Sequence, residues 1–203
     1  MPFSLAAAPT HLLYLHGFRS SPKSFKAQRL AAWMAEHRPE VHWWCPQLPP
    51  SPREALALVM EGTADWPAER SAVLGSSLGG YYATVVAQAR GWPWVVMNPA
   101  VDPARDLAAY IGEQPAFHTP EERFFFRAEY IEELRAMHPG PLQHPERCYA
   151  LIARGDELLS WQEMAACYAG AQQHVIAGSD HALSDFEDHL PLLLNFLHLT
   201  PAT

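Results

Sequence analysis

Gly75-Ser76-Ser77-Leu78-Gly79, with Gly80 behind it, sets a serine between two glycines at the spacing of a nucleophile elbow. A serine hydroxyl is a weak nucleophile until a base takes its proton, and a sharp strand-to-helix turn holds that hydroxyl out for attack. The turn is so tight that the residues two positions either side of the nucleophile have no room for a side chain. Ser76 would need small residues at Leu74 and Leu78, whereas Ser77 has Gly75 and Gly79, so the register selects Ser77. Composition alone produces a GxSxG in roughly one chain in fifteen of this length. Context therefore matters: the motif follows the apolar run 71–74 and precedes a helical pattern carrying Tyr81, Val85 and Ala89.

The partners of such a serine follow it in the order acid, then histidine. Ala150-Leu-Ile-Ala-Arg-Gly-Asp156 reads as a buried strand ending in a turn with an aspartate. Val175-Ile-Ala-Gly-Ser-Asp-His181 reads as a second strand ending in a glycine turn with a histidine. Both residues fall beyond the C-terminal ends of strands, where open α/β sheets gather their sites. The expected triad is Ser77, Asp156 and His181. Each has an alternative: His181 is one of 11 histidines and could serve the start of the helix near Ser184, and Asp156 could cap a turn. Glu157 and Asp102 are rival acids, Asp102 because it follows an earlier strand end. Asp180 would point away from its neighbour His181 in an extended chain and is set aside.

An oxyanion needs two backbone donors. Leu78 offers one N–H at a helix start, where the dipole assists. The second is expected from Leu15-His16-Gly17-Phe18, where Gly17 permits close approach and Phe18, or else Arg19, presents the N–H. His16 is expected to brace that loop by hydrogen bonding rather than to move a proton.

Positioning these residues takes alternating strands and helices, the pattern of a parallel sheet covered by helices. Strands are expected at 11–15, 41–45, 71–75, 94–98, 148–153 and 174–176, and helices near 22–37, 52–66, 78–90, 160–169 and 185–197. Ser51-Pro-Arg-Glu54, Thr119-Pro-Glu-Glu122, Ser160-Trp-Gln-Glu163 and Ser184-Asp-Phe-Glu187 each fit a capping box at a helix start. Segment 104–143 interrupts the alternation with Phe124-Phe-Phe126, Tyr130 and Ile131 among charges and prolines. It reads either as core-packing helices or as a small helical cap over a pocket. There is no repeat or linker, so 1–203 is expected to form one domain.

The 203 residues carry 49% hydrophobic and 18% charged residues, with a net charge of −8. That charge disfavours a nucleic-acid partner. Arg19, Lys23, Lys26 and Arg29 alternate with apolar residues and read as the wet face of a helix. Cys45, Cys148 and Cys167 form no CxxC pair, which points away from a disulfide framework or zinc ribbon and towards buried, reduced thiols. No metal motif, P-loop or cofactor signature is present, and no apolar run approaches the ~20 residues of a membrane span. The stretch 1–9 lacks a secretory signal's charged and apolar regions, and a cytoplasmic location is expected.

Longer segments resemble a known family. Leu13-Tyr-Leu-His-Gly-Phe-Arg-Ser-Ser-Pro-Lys23, Pro46-Gln-Leu-Pro-Pro50, Gly75-Ser-Ser-Leu-Gly-Gly-Tyr-Tyr-Ala83 and Asn98-Pro-Ala-Val101 are similar to the bacterial YqiA-type esterases. So are Gly155-Asp-Glu157, His181-Ala182 and Phe186-Glu-Asp188. The resemblance spans about Leu12 to Leu199 and implies a compact α/β-hydrolase fold, with a mostly parallel sheet of about six strands and helices on both faces. It implies hydrolysis of carboxylic esters, with acyl thioesters within its range, and places the triad on Ser77, Asp156 and His181. The leading reading is a hydrolase of small-molecule esters of short to medium acyl chain, with no cofactor expected. A thioesterase acting on acyl-CoA or an acyl carrier is the alternative within the same chemistry, and a non-catalytic binding protein of this fold is the alternative outside it. Segment 104–143 departs most from the family pattern.

Overall fold

A computed structural model describes residues 7–119 and 121–200. Part of the 1–9 stretch and Pro120 therefore lie outside the described residues. In chain order the strands and helices are β1 (His11–Leu15), α1 (Phe25–His37), β2 (His42–Trp44), α2 (Pro52–Gly62), β3 (Ser71–Ser76) and α3 (Leu78–Arg90). There follow β4 (Trp94–Met97), α4 (Pro103–Asp106), β5 (Gly112–Pro115), β6 (Arg123–Phe126), α5 (Glu129–Ala136), β7 (Cys148–Ala153), α6 (Trp161–Cys167), β8 (Gln172–Ile176) and α7 (Phe186–Phe196).

Six of these strands form one sheet in the order β2-β1-β3-β4-β7-β8, with every pairing parallel. A parallel sheet is buried on both faces, which is why β3 and β7 read as unbroken apolar runs rather than alternating ones. Leu13, Leu15, Val73, Val96 and Ile152 point to one face, where α2, α3 and α6 supply Val59, Val86 and Met164. Leu12, Tyr14, Leu74, Met97 and Leu151 point to the other, where α1 and α7 supply Leu30, Met34, Phe186 and Leu193. The chain moves outward from β1 to β2, then returns to β3 on the opposite side. The switch in winding direction thus falls between β1 and β3 and opens a crevice at their C-terminal ends.

At two of the four expected capping boxes the hydroxyl half forms. Ser51 Oγ accepts from Glu54 N at 3.2 Å and Ser160 Oγ from Glu163 N at 3.3 Å. At Thr119 there is no helix: Glu122 N donates to the Thr119 carbonyl at 2.8 Å, closing a turn that leads into β6. At Ser184 the cap fails because the Asp180 carboxylate engages both the Ser184 hydroxyl and its N–H, and α7 begins two residues later.

Segment 104–143 holds the short helix α5, and also an antiparallel hairpin of β5 and β6 that the sequence reading does not anticipate. Phe124 and Phe126 turn inward while Arg123 and Phe125 face out, so the aromatic run alternates with the period of a strand. Helix α5 docks on the start of α2 through Glu133, whose carboxylate accepts from Ser51 Oγ at 2.7 Å and Arg53 N at 3.0 Å. The thiols differ in burial: Cys148 is buried, Cys45 half-buried and Cys167 exposed, so the expectation of three buried thiols fails for Cys167. No described helix is long and apolar enough to cross a membrane.

Candidate active site

The elbow is held by steric exclusion. Ser77 sits between β3 and α3 with φ 56° and ψ −123°, a conformation that a residue bearing a Cβ rarely adopts. Such a residue stores on the order of 1–3 kcal/mol of strain and persists only where its surroundings over-determine it. Here Ser77 N donates to the Met97 carbonyl at 3.0 Å, and the Ser77 carbonyl accepts from Gly80 N at 2.9 Å and Ala100 N at 3.0 Å. A Cβ on Gly75 would lie 2.0 Å from the Gly79 carbonyl oxygen, and one on Gly79 would lie 2.0 Å from that of Leu15. Both distances are far inside contact. The two glycines thus lie two positions either side of Ser77, the residue at the tip of this turn.

His181 Nε2 lies 3.0 Å from Ser77 Oγ, and its Nδ1 lies 2.7 Å from Asp156 Oδ2. Asp156 follows β7 and its side chain is fully buried. A buried carboxylate needs hydrogen bonds in place of water. Its other oxygen accepts from the N–H groups of Leu158 at 2.9 Å and Leu159 at 2.8 Å. With Asp156 as acceptor, Nδ1 carries a proton and Nε2 presents a lone pair to Ser77. The rival acids are occupied elsewhere. Asp102 caps α4 through Arg105 N at 3.1 Å, and Glu157 accepts from the backbone N–H of His181 at 3.0 Å. Asp180 binds Ser184, whose hydroxyl holds the Asp180 carboxyl below the usual range.

The loop after β1 runs close beside the serine: a Cβ on Gly17 would stand 3.2 Å from Ser77 Cβ and 3.6 Å from its Oγ. Among the described residues no acceptor takes the N–H of Phe18 or of Leu78. His16 braces this loop, as expected. Its Nε2 accepts from Leu48 N at 3.0 Å, so its Nδ1 carries the proton and donates to the Gly17 carbonyl at 3.0 Å. Burial pushes its pKa down to about 4. It is 4% exposed and neutral at physiological pH.

The model of one family, the uncharacterised protein family UPF0227, matches residues 11–198. The chain belongs to UPF0227, the YqiA-like family. Solved structures similar to this UPF0227 chain are α/β hydrolases. One is from a study of LipS and LipT, two metagenome-derived lipolytic enzymes, at 18% identity and TM-score 0.71, covering 95% of each chain. Another is the α/beta hydrolase domain-containing protein 10 from mouse, at 18% identity and TM-score 0.67, covering 95% of this chain and 92% of that one. A third is the esterase domain of a Rhodothermus marinus protein, at 17% identity and TM-score 0.62, covering 95% and 88%. At these identities the likeness establishes the α/β-hydrolase fold.

Two features of this UPF0227 chain were not read from its sequence. Asn98, fully buried at the end of β4 with φ 41°, donates from Nδ2 to the carbonyls of Asp180 at 2.9 Å and His181 at 3.2 Å. Its Oδ1 accepts from Ala153 N at 2.8 Å, so one amide ties together the loops that carry Asp156 and His181. A buried polar side chain directly after a strand was the available signal. The second feature is a cleft of about 650 Å³ lined by Gly17, Phe18, Leu48, Leu78, Tyr82 and Phe124, among others. It lies between the β1 loop and the hairpin; Ser77, Asp156 and His181 do not line it, but Gly17 and Leu78 on its wall adjoin Ser77. Phe18 packs edge-on against Phe124 and Phe126 at 5.9 and 5.0 Å, and Arg19 Nε donates to the Pro115 carbonyl at 2.9 Å. The hairpin is thereby fastened to the loop that carries the Phe18 N–H.

Proposed function

We propose that this chain is a serine esterase that cleaves small carboxylic esters through an acyl-enzyme, with Ser77 as nucleophile, His181 as base and Asp156 as its orienting acid. The observation that carries this reading is the relay of 3.0 Å from Ser77 to His181 and 2.7 Å from His181 to Asp156. His181 Nε2 takes the Ser77 proton as Oγ attacks the ester carbonyl carbon. The negative charge that develops on the carbonyl oxygen is met by the N–H groups of Leu78 and Phe18. Collapse expels the alcohol, which leaves with the proton from Nε2, and water then repeats the sequence to free the acid and Ser77. Asp156 stays ionised throughout and stabilises the imidazolium. Segment 104–143 acts as the cap of a single domain, and the cleft of about 650 Å³ suits a small ligand with a short or medium acyl chain.

The test is labelling with a fluorophosphonate, followed by a panel of esters and thioesters graded by acyl length. The reading requires one label per chain, lost in Ser77→Ala, and turnover of esters at neutral pH. Equal labelling of a folded Ser77→Ala variant contradicts it. Thioester turnover well above that of the matching esters redirects it to a thioesterase.

A further inference from the structure

Lys26 contradicts the sequence reading that put it on a wet helix face. It is 8% exposed, whereas Lys23 and Arg29 stay at the surface, and Arg29 pairs with Glu187 of α7 at 2.8 Å. A buried ammonium has lost its hydration and needs something in its place. Here Nζ donates to the carbonyl of Ala182, and the carboxylates of Asp180 and Asp156 attract its charge. Ala182 is the residue after His181. The two preceding carbonyls, of Asp180 and His181, are already held by Asn98. Three consecutive carbonyls of this loop thus bind side-chain N–H donors, from the end of β4 and from α1. The loop also carries positive φ at Ser179 (66°) and Leu183 (54°), a backbone that needs such outside support.

We propose that Lys26 is a positioning residue whose ammonium holds the His181 loop against α1, keeping the imidazole between Ser77 and Asp156, so that hydrolysis falls when this ammonium loses its proton. The proposal rests on the esterase reading of the site. Lys26 acts through Ala182 and its charge. Burial lowers its pKa to about 8, against the opposing pull of Asp180 and Asp156. Deprotonation leaves a neutral amine, a weaker donor with no attraction for the two carboxylates. Around it, the Ser184 hydroxyl holds the Asp180 carboxyl low, and Asp185 of the same loop is also low, burial being outweighed by its bonds to Ser179 and His189; Glu187 pairs with Arg29 at the surface. On the sheet face below α1, burial pushes the Tyr14 phenol far up and the Cys45 thiol up to about 12.

The experiment compares the wild type with Lys26→Met and Lys26→Arg on p-nitrophenyl acetate across pH 6–9, with folding checked by circular dichroism at each pH. Wild-type kcat should decline on the alkaline side around the pKa of Lys26. Lys26→Met should lose at least about tenfold in kcat at neutral pH with KM little changed, and show no such decline, as expected where only the transition state loses support. Lys26→Arg should restore part of kcat and stay flat to pH 9, because a guanidinium keeps its proton. Hydrogen exchange of the backbone amides of 178–184 is read in parallel and needs no turnover; it should quicken in Lys26→Met while 75–80 is unchanged. A wild type without ester turnover defeats the esterase reading, and the exchange result then decides whether Lys26 grips the loop. If Lys26→Met does not fold, the pH profile of Lys26→Arg decides. A folded Lys26→Met with wild-type kcat, the same alkaline decline or unchanged exchange overturns the proposal.

Discussion

Ser77 and His181 reach each other from two loops that are held in different ways. The Ser77 turn is short, and the backbones of β1, β3 and α3 crowd it so closely that Gly75 and Gly79 leave no space for a methyl group. The His181 loop is longer and crowded at one end only: a Cβ on Gly155 would lie 2.1 Å from its Ser179 carbonyl oxygen, whereas one on its own Gly178 would meet nothing within 4 Å. Beyond that contact, the stretch that carries His181 is shaped by hydrogen bonds supplied from afar, by Asn98, Lys26 and Glu157. Exclusion is local and all-or-none, whereas bonding from a distance is graded. Damage to the first loop should therefore appear as lost fold, and damage around the second as lost turnover in a chain that still folds.

The sharpest break in that comparison is Gly79→Ala. A Cβ placed 2.0 Å from the Leu15 carbonyl oxygen forces β1 and α3 apart. The expected loss is on the order of 4 kcal/mol or more, at the exceptional end for one substitution. Thermal melting and soluble yield measure it; a variant melting within a few degrees of the wild type would show that the turn is not held by exclusion.

On the second loop's side, Asp156→Asn should leave the chain folded and lower kcat by at least roughly a hundredfold with KM little changed, the pattern of a lost transition-state interaction. Asp102→Asn is its control. As a helix cap it should affect stability by about 1 kcal/mol or less and leave kcat alone. Steady-state kinetics on both folded variants checks this, and the reverse outcome would move the acid to the earlier strand.

The same division explains what the sequence discloses. Strands β1 and β7 fall on their expected residues and the other sheet strands within a residue or two, because burial on both faces writes continuous apolar runs. The elbow is legible because exclusion forces glycine at fixed offsets. Asp156 and His181 could be singled out because each ends a strand in a glycine turn, and the structure brings both to Ser77. Lys26 and Asn98 were illegible in these roles because their partners lie 156 and 82 or 83 residues away, and nothing in the local pattern records them. The hairpin was missed for a local reason: Thr119-Pro-Glu-Glu122 satisfies the grammar of a helix start, yet the outward Arg123 and Phe125 belong to a strand.

The β1 loop stands between the two cases, crowded at Gly17 but braced by one buried imidazole. The folded His16 has a pKa of about 4, below the ordinary 6.5. The unfolded chain then binds the extra proton first, so this contribution is complete above about pH 6.5 and is lost as pH falls towards 4. The loss should approach about 3 kcal/mol as an upper figure. Urea unfolding at pH 7, 5.5 and 4.5 should show the fall, and His16→Asn should flatten it. An equal slope in both proteins would assign the acid sensitivity to other groups.

The central claim, that exclusion presents Ser77 and not its neighbour to His181, is tested most directly by comparing ester hydrolysis in folded Ser77→Ala and Ser76→Ala at neutral pH. The account predicts no turnover above background for Ser77→Ala and appreciable turnover for Ser76→Ala. A folded Ser76→Ala as inactive as Ser77→Ala, or a Ser77→Ala that still turns over ester, contradicts it.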